Sequence, residues 1–275
     1  MSDEQEEKGL FKHKDSVLIS KNLYFFLKDY YNVLELFFFT LDLAHRADKA
    51  ALGASKALIS YAKSDDERER YQSTIDNPSR TVKKFSEFGA LNSRNLTVNI
   101  VEAFLWYISA SIQSAMKKRP ELVKSGESVK IEDIFEIRSK RDIVNYLIDR
   151  KINSLSYGGM SKIEKFISDS MGIALFPTNE DRELMQIFVE VRNIHVHNRS
   201  VVNKVFLGRT TQHEKFKFFE GKRAGLDFDE LIDLTRVCVQ TAIDLDTTIC
   251  TKFKIKQKRY PTWDKPQKSV LPSTA

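Results

Sequence analysis

The amino-acid sequence predicts an all-α fold, a helical bundle with a long N-terminal helix. The 275 residues include only ten glycines and six prolines, too few for the many tight turns of a β-sandwich or β-barrel. Apolar residues instead recur every three or four positions over several long segments, which is the spacing of a helix with one buried face. No internal repeat is visible, so a helical repeat array is not indicated.

The first 80 residues are predicted to form an N-terminal helical segment packed on the bundle. Residues 1–16 are acidic, and we expect them to be disordered. A helix is expected over residues 17–62, with apolar side chains at helical spacing: Leu23, Phe26, Leu27, Tyr30, Tyr31, Leu34, Phe37, Phe38 and Leu41. Residues 64–80 are polar and contain the helix breaker Pro78, which indicates a boundary.

The middle of the chain predicts two further helices. The first covers residues 93–118 and is closed by Pro120. A loop follows over 120–130, and the second helix, over 139–157, opens with a sequence resembling a capping box. The pair Gly158-Gly159 ends it, because glycine is favoured where a helix terminates.

Two more helices are predicted before the chain changes character. Ser161 and Glu164 form a capping box for a short helix that ends at Gly172. Thr178 then introduces a helix from about residue 179 to past residue 198, which carries the most unusual residues of the chain.

The last part of the sequence combines an insertion, a helix and a tail. Residues 204–226 predict a short irregular or hairpin insertion. Asp227 and Glu230 cap a final helix that reaches about Phe253. Residues 81–253 are therefore expected to form one helical domain, followed by a basic flexible tail over residues 254–275.

The net charge of the protein is concentrated in the tail. Residues 252–275 hold seven basic side chains and one acidic side chain, which equals the whole formal charge of +6. The rest of the chain is neutral, so only the tail is a candidate for binding a polyanion. The basic residues Lys256, Lys258 and Arg259 are predicted to contact RNA; the alternative is a solvated tail that aids solubility.

Several classes of chemistry are not indicated. Cys238 and Cys250 form neither a disulfide framework nor a CxxC zinc motif. No phosphate-binding glycine loop, HExxH or GxSxG motif occurs. We therefore expect no cofactor and no metal site. The N-terminal sequence has no apolar segment of a signal peptide and no helix is apolar enough for a membrane, so a cytoplasmic location is expected.

One segment is denser in polar and basic residues than the rest of the chain. Positions 192–203 hold two histidines, two arginines and three asparagines. A core-facing stripe explains the apolar residues around them: Leu184, Ile187, Val191, Ile194, Asn198 and Val201. Because Asn198 lies within this stripe, its amide must find partners, and we expect it to cap a break in the helix.

Arg192 and His197 are five residues apart, about 140° around a helix. One straight helix does not easily bring both onto one small group, but two antiparallel copies across a two-fold axis could share a cleft. A histidine for proton transfer and arginines for phosphate charge suit such a cleft. The alternative is a buried polar network that fixes helix packing.

The string from Arg192 to Asn198 matches an RNxxxH motif and resembles the HEPN superfamily (higher eukaryotes and prokaryotes nucleotide-binding), in particular its RiboL-PSP/MAE-type bacterial members. The resemblance extends over about residues 90–250, including an upstream helix that carries Asn95, Glu102, Phe104 and Leu105. It implies an HEPN-like helical bundle that dimerises through the motif helices. Ser200 departs from the family, which often has glycine at this position.

The resemblance also implies roles for single residues. Arg192 and His197 match the catalytic pair, Asn193 its polar companion, and Glu102 a position that is sometimes an active-site acid. His195, Asn198 and Arg199 surround the pair and are predicted to contact the substrate.

The function implied is a metal-independent endoribonuclease of a toxin or defence system, which leaves a 2′,3′-cyclic phosphate. Its expected partners are RNA, a second copy of the chain, and an antitoxin or regulatory protein. The alternative is a non-catalytic helical module that binds a protein or a nucleic acid, in which the motif serves only dimer packing.

Overall fold

The computed structural model describes residues 17–123, 139–210 and 213–261. Within these ranges the chain forms nine α-helices and one two-stranded antiparallel sheet, which confirms the all-α fold with a long N-terminal helix. The elements in chain order are β1 Leu18–Ile19, α1 Lys21–Leu58, α2 Asp65–Asp76, α3 Arg80–Glu87, α4 Gly89–Lys118, α5 Lys140–Tyr157, α6 Gly159–Asp169, α7 Asn179–His197, α8 Lys204–Arg209, α9 Phe228–Phe253 and β2 Lys258–Arg259. Short 3₁₀ turns follow α1 (Ile59–Tyr61) and α4 (Pro120–Val123).

Helix α4 forms the centre of the bundle and contacts α1, α5, α7 and α9. Its side chains Ile100, Phe104 and Tyr107 are fully buried, and each contributes about 2 kcal/mol through the apolar surface it removes from water. Phe26 of α1 packs edge-on against Phe104, with ring centroids 6.0 Å apart. The predicted apolar stripe of the N-terminal helix is therefore part of the core over its first half.

α2 lies within the polar segment that the sequence predicted as a boundary, and α3 begins at the end of that segment. α2 buries no side chain, so it has no apolar stripe that periodicity could detect. Its N-terminus is capped by Ser64, which accepts a hydrogen bond of 3.2 Å from the backbone N–H of Glu67. The N-terminus of α3 is held from α1 instead, because Asp48 accepts bonds from the backbone N–H groups of Thr81 and Val82 at 2.8 and 2.9 Å.

Capping predictions were confirmed at α5, α7 and α9 and wrong at α6. Ser139, Thr178 and Asp227 accept bonds from the backbone N–H three residues later, as expected. α6 does not begin at Ser161. It starts at Gly159, whose φ of +73° turns the chain directly out of α5, so Ser161 lies inside the helix.

The insertion before the last helix is shorter and more regular than expected. Asn203 caps α8 by accepting a 2.8 Å bond from the Phe206 N–H, and α8 occupies the first part of the predicted irregular segment. An antiparallel bridge joins Val201 to Arg223. The chain therefore returns to the segment just after α7 before α9 begins.

The segment predicted as a flexible tail begins with a strand. β2 pairs with β1 in the register Leu18–Arg259 and Ile19–Lys258. Tyr260 then stacks on Tyr24 of α1, with ring centroids 4.4 Å apart. The two ends of the described chain are thus joined, which the sequence did not indicate. The predicted disordered N-terminus (residues 1–16), most of the loop over 120–130 and the tail beyond residue 261 lie outside the described residues.

Candidate functional site

A groove of about 870 Å³ runs along α7 from Arg182 to just past the C-terminus of the helix at Asn198. Its walls come from α4, from the junction between α5 and α6, and from α8. Four residues singled out from the sequence line it: Arg192, Asn193, His197 and Asn198. The groove therefore collects the motif residues in one place on a single chain.

Arg192 is the most constrained side chain of the groove. One guanidinium nitrogen, Nη1, donates to Asn193 Oδ1 at 3.0 Å, and Nη2 donates to the carboxylate of Glu102 on α4. The Arg192 side chain is 18% exposed and that of Glu102 is 52% exposed. Arg192 Nε is buried without a partner. The structure thus brings three of the predicted catalytic residues into one hydrogen-bonded set.

His197 is the last residue of α7 and is exposed. We expected the angle between Arg192 and His197 to require a second copy before they could share a cleft. In the structure both line the same groove of one chain, because the groove extends along the helix and past its C-terminus. Both side chains therefore line one groove of a single chain.

His195 lies in the interior and not in the groove. It is 2% exposed, and its Nδ1 lies 2.9 Å from the hydroxyl oxygen of Ser200. Burial, assisted by the nearby Arg94 charge, lowers its pKa to about 4. Arg94 also donates to the His195 carbonyl at 2.9 Å. The imidazole is therefore neutral and stabilises the packing of α7. Because His195 is enclosed in the interior, it does not make the substrate contact that the sequence predicted.

The chain reverses immediately after α7. The helix ends at His197, short of the predicted end past residue 198. Asn198 caps it as expected, with its side-chain Nδ2 donating to the Val201 carbonyl at 2.6 Å. Arg199 and Ser200 both adopt positive φ, +50° and +67°. This is the left-handed region that favours glycine, so Ser200 occupies a position at which glycine would fit without strain. Arg199 is exposed and does not line the groove.

The basic residues predicted to bind RNA near the C-terminus lie elsewhere. Lys258 and Arg259 form β2, and Lys256 precedes it; all three are exposed. None of them lines the groove. Their strand pairs with β1 through backbone bonds, which leaves the charged side chains free to face solvent.

The groove also contains side chains that the sequence did not single out. Arg182 and Arg209 add two cations, paired with Glu164 at 2.9 Å and with the buried Glu190 at 3.7 Å. Tyr157, at the end of α5, is 94% exposed on the rim. These three residues come from α5, α7 and α8, so no local pattern in the sequence could have grouped them.

Among residues 17–123, 139–210 and 213–261, no three His, Cys, Asp or Glu side chains gather closely enough to hold a metal ion. No helix in the same ranges is long and apolar enough to cross a membrane. No protein-family model, curated protein or solved structure matches this chain. The geometry and chemistry of the groove are therefore the basis for assigning a function.

Proposed function

We propose that the groove binds RNA and that the protein cleaves it as an HEPN-type, metal-independent endoribonuclease. The observation that carries the proposal is the alignment of Arg192, Asn193 and His197 along one solvent-open groove. Arginine presents a planar set of donors that suits a phosphate, and an exposed imidazole suits proton transfer. Arg182 and Arg209 line the same groove, where each is paired with a glutamate.

The reaction follows from these roles. His197 takes the proton of a ribose 2′-hydroxyl, and the 2′ oxygen attacks the adjacent phosphorus. Arg192 stabilises the negative charge that develops on the phosphate oxygens, and Asn193 holds the guanidinium in place. The bond to the 5′ oxygen breaks, and that oxygen takes the proton that His197 accepted from the 2′-hydroxyl. The products are a 2′,3′-cyclic phosphate and a 5′-hydroxyl.

Glu102 has a positioning role in this scheme. Its carboxylate accepts from Arg192 Nη2 while Asn193 accepts from Nη1, so the guanidinium is held between two helices. A phosphate entering the groove then competes with the carboxylate for the same donors. The proposal includes a cytoplasmic toxin or defence setting, with an antitoxin or regulatory protein as a further partner.

Cleavage of single-stranded RNA of mixed sequence in the presence of chelator tests the proposal. Wild-type protein should cut, and Arg192→Ala and His197→Ala should each lower the rate by at least about 100-fold. His45→Ala, which removes an exposed histidine of α1, is the matched control and should cut normally. The new 3′ ends should resist phosphatase until mild acid opens the cyclic phosphate.

Two results would overturn the enzyme assignment. One is the absence of cutting by the wild-type protein. The other is equal cutting by the wild type and by both groove variants, which would indicate a contaminating nuclease.

A second function is supported by the partners that both terminal nitrogens of Arg192 already have. Because its guanidinium already has Glu102 and Asn193 as partners, the motif could serve as a polar network that packs helices in a non-catalytic binding module. The two functions predict different stabilities for the His197→Ala variant. The packing role predicts loss of the fold or of a dimer, whereas the catalytic role predicts a folded, inactive protein.

A further inference from the structure

The outer face of α1 carries large apolar side chains that nothing in the described chain covers. Beyond Leu34, the inner face of α1 packs against α2 and α3 and buries Ala44, Asp48 and Ser55. On the opposite face Leu36, Phe39 and Leu43 are 66%, 57% and 48% exposed. They are spaced three and four residues apart, so they form one continuous stripe.

The same face continues toward the C-terminus of α1 with small residues. Ala50, Gly53 and Ala57 extend the stripe at the same spacing and are all exposed. A Cβ built at Gly53 would meet no atom within 4 Å, so the glycine leaves an open surface. The face thus has a bulky half followed by a flat half of similar length.

Charged residues follow one flank of this face at intervals of seven. Glu35 and Asp42 lie beside the bulky half, and Lys49 and Lys56 lie beside the flat half. All four are exposed. The flank therefore changes from acidic to basic side chains at the point where the stripe changes from large apolar residues to small ones.

We propose that two copies of the chain pair through this face, with their α1 helices antiparallel across a two-fold axis. In one register Leu36 lies opposite Gly53 of the second copy, and Phe39 lies opposite Ala50. The bulky side chains of each copy then fill the flat half of the other, which is the fit that close helix packing requires. An isologous contact of this kind repeats every interaction twice.

The charges match in the same register. Glu35 faces Lys56 of the second copy, and Asp42 faces Lys49, so four ion pairs flank the apolar stripe. Arg46 lies near the axis, where its stem covers Leu43 while its guanidinium stays on Asp42 of its own chain, 2.7 Å away. In a parallel pair the charged flanks of the two helices would lie on opposite sides of the interface, so none of these ion pairs could form. The face is therefore complementary to itself in one orientation only.

The ends of the paired helices carry aromatic side chains that fit the same arrangement. Phe25 and Trp106 are 39% and 49% exposed and pack edge-on, with ring centroids 6.3 Å apart. Tyr61, just after α1, is 77% exposed. In the antiparallel register Tyr61 of one copy reaches the Phe25–Trp106 pair of the other. This surface is separate from the groove, and the inference does not depend on RNA cleavage.

Sedimentation equilibrium tests the interface directly. The wild-type protein should have twice the chain mass of 31.8 kDa at micromolar concentration. Leu36→Glu combined with Leu43→Glu should raise the dimer dissociation constant by at least about 100-fold, because it buries four unpaired charges. Phe219→Glu, at a residue 65% exposed outside this face, is the matched control and should leave the mass unchanged. A wild-type monomer, or a dimer that persists in the double variant, would overturn the inference.

Charge exchange tests the pairing. Lys49→Glu with Lys56→Glu should weaken the dimer, because acidic residues would then face acidic residues. Adding Glu35→Lys and Asp42→Lys to the same chain should restore it, because every pair is then reversed. No restoration in the fourfold variant would contradict the register.

Cross-linking tests the orientation. Both native cysteines are buried, so a short bismaleimide should react with an introduced surface cysteine. Arg46→Cys lies near the proposed axis and should cross-link to itself. Ala57→Cys should not, because its two copies would be about 37 Å apart along the helices. Efficient cross-linking of Ala57→Cys would indicate a parallel pair and refute the proposal.

Discussion

The guanidinium of Arg192 on α7 donates to the carboxylate of Glu102 on α4, 90 residues earlier in the chain. This contact joins two helices at the wall of the groove and neutralises its most enclosed cation. Any phosphate that binds to Arg192 must therefore compete with Glu102. The strength of RNA binding should depend on this carboxylate as well as on the arginine.

Glu102→Gln should increase the affinity for single-stranded RNA. The amide retains an oxygen for Arg192 but removes the competing charge, so we expect binding to tighten about three- to tenfold at low salt. Fluorescence anisotropy with a short labelled RNA in chelator measures this. Glu87→Gln, at an exposed position of α3, serves as the control. An affinity that stays constant or falls would show that Glu102 does not compete with the phosphate.

His195 should make the protein less stable in acid. Its pKa is about 4 in the folded protein, against an ordinary value of 6.5, so the unfolded chain binds a proton first as the pH falls. The contribution of neutral His195 is therefore complete above about pH 6.5 and is lost as the pH falls toward 4. Allowing for solvent screening, we expect a loss of about 2 kcal/mol in the free energy of unfolding.

Urea unfolding of the wild type and of His195→Gln at several pH values measures this contribution. The difference in unfolding free energy between the two proteins should change between pH 6.5 and 4 and be constant above it. A pH-independent difference for His195→Gln would mean that the buried imidazole does not control acid stability.

Ser200 combines an unfavourable backbone conformation with a useful hydroxyl. Ser200→Ala keeps the φ of +67° and removes the contact with His195 Nδ1, so it should destabilise the fold by about 1–2 kcal/mol. Ser200→Gly loses the same contact but relieves about 1 kcal/mol of backbone strain, and should be nearly neutral. Thermal unfolding compares the two. Equal destabilisation by both variants would indicate that the backbone at Ser200 is not strained.

The basic C-terminal residues should contribute to RNA binding through charge alone. Lys256, Lys258 and Arg259 are exposed, so replacing all three with glutamine should leave β2 intact. If each neutralises a phosphate, the slope of log affinity against log salt concentration should fall by about 2. Unchanged affinity and an unchanged slope would show that these charges only keep the protein soluble.

Much of the helical architecture could be predicted because its signals are local. α5, α7 and α9 begin at Ser139, Thr178 and Asp227, whose side chains bond to an N–H three residues away. α2 could not be predicted from periodicity, because it buries no side chain. α8 was missed because its six residues are too few to show a pattern.

The site was predicted only in part, because local signals reveal only the residues that lie close together in the chain. Placing Arg192, Asn193 and His197 together on one helix required nothing beyond their spacing in the chain. Bringing Arg209 and Tyr157 into the same groove required the packing of other helices, and the burial of His195 required the core around it.

By itself, the sequence determined the all-α class, most helix boundaries and the concentration of polar residues near the end of α7. Periodicity and capping act over four residues or fewer, so they are readable along the chain. Only the tertiary structure decided that Arg192 meets Glu102, that His195 is enclosed, and that Lys258 pairs with Ile19. These contacts join residues far apart in the chain or depend on the surrounding core, and they form only when the packing of whole apolar faces has placed the helices.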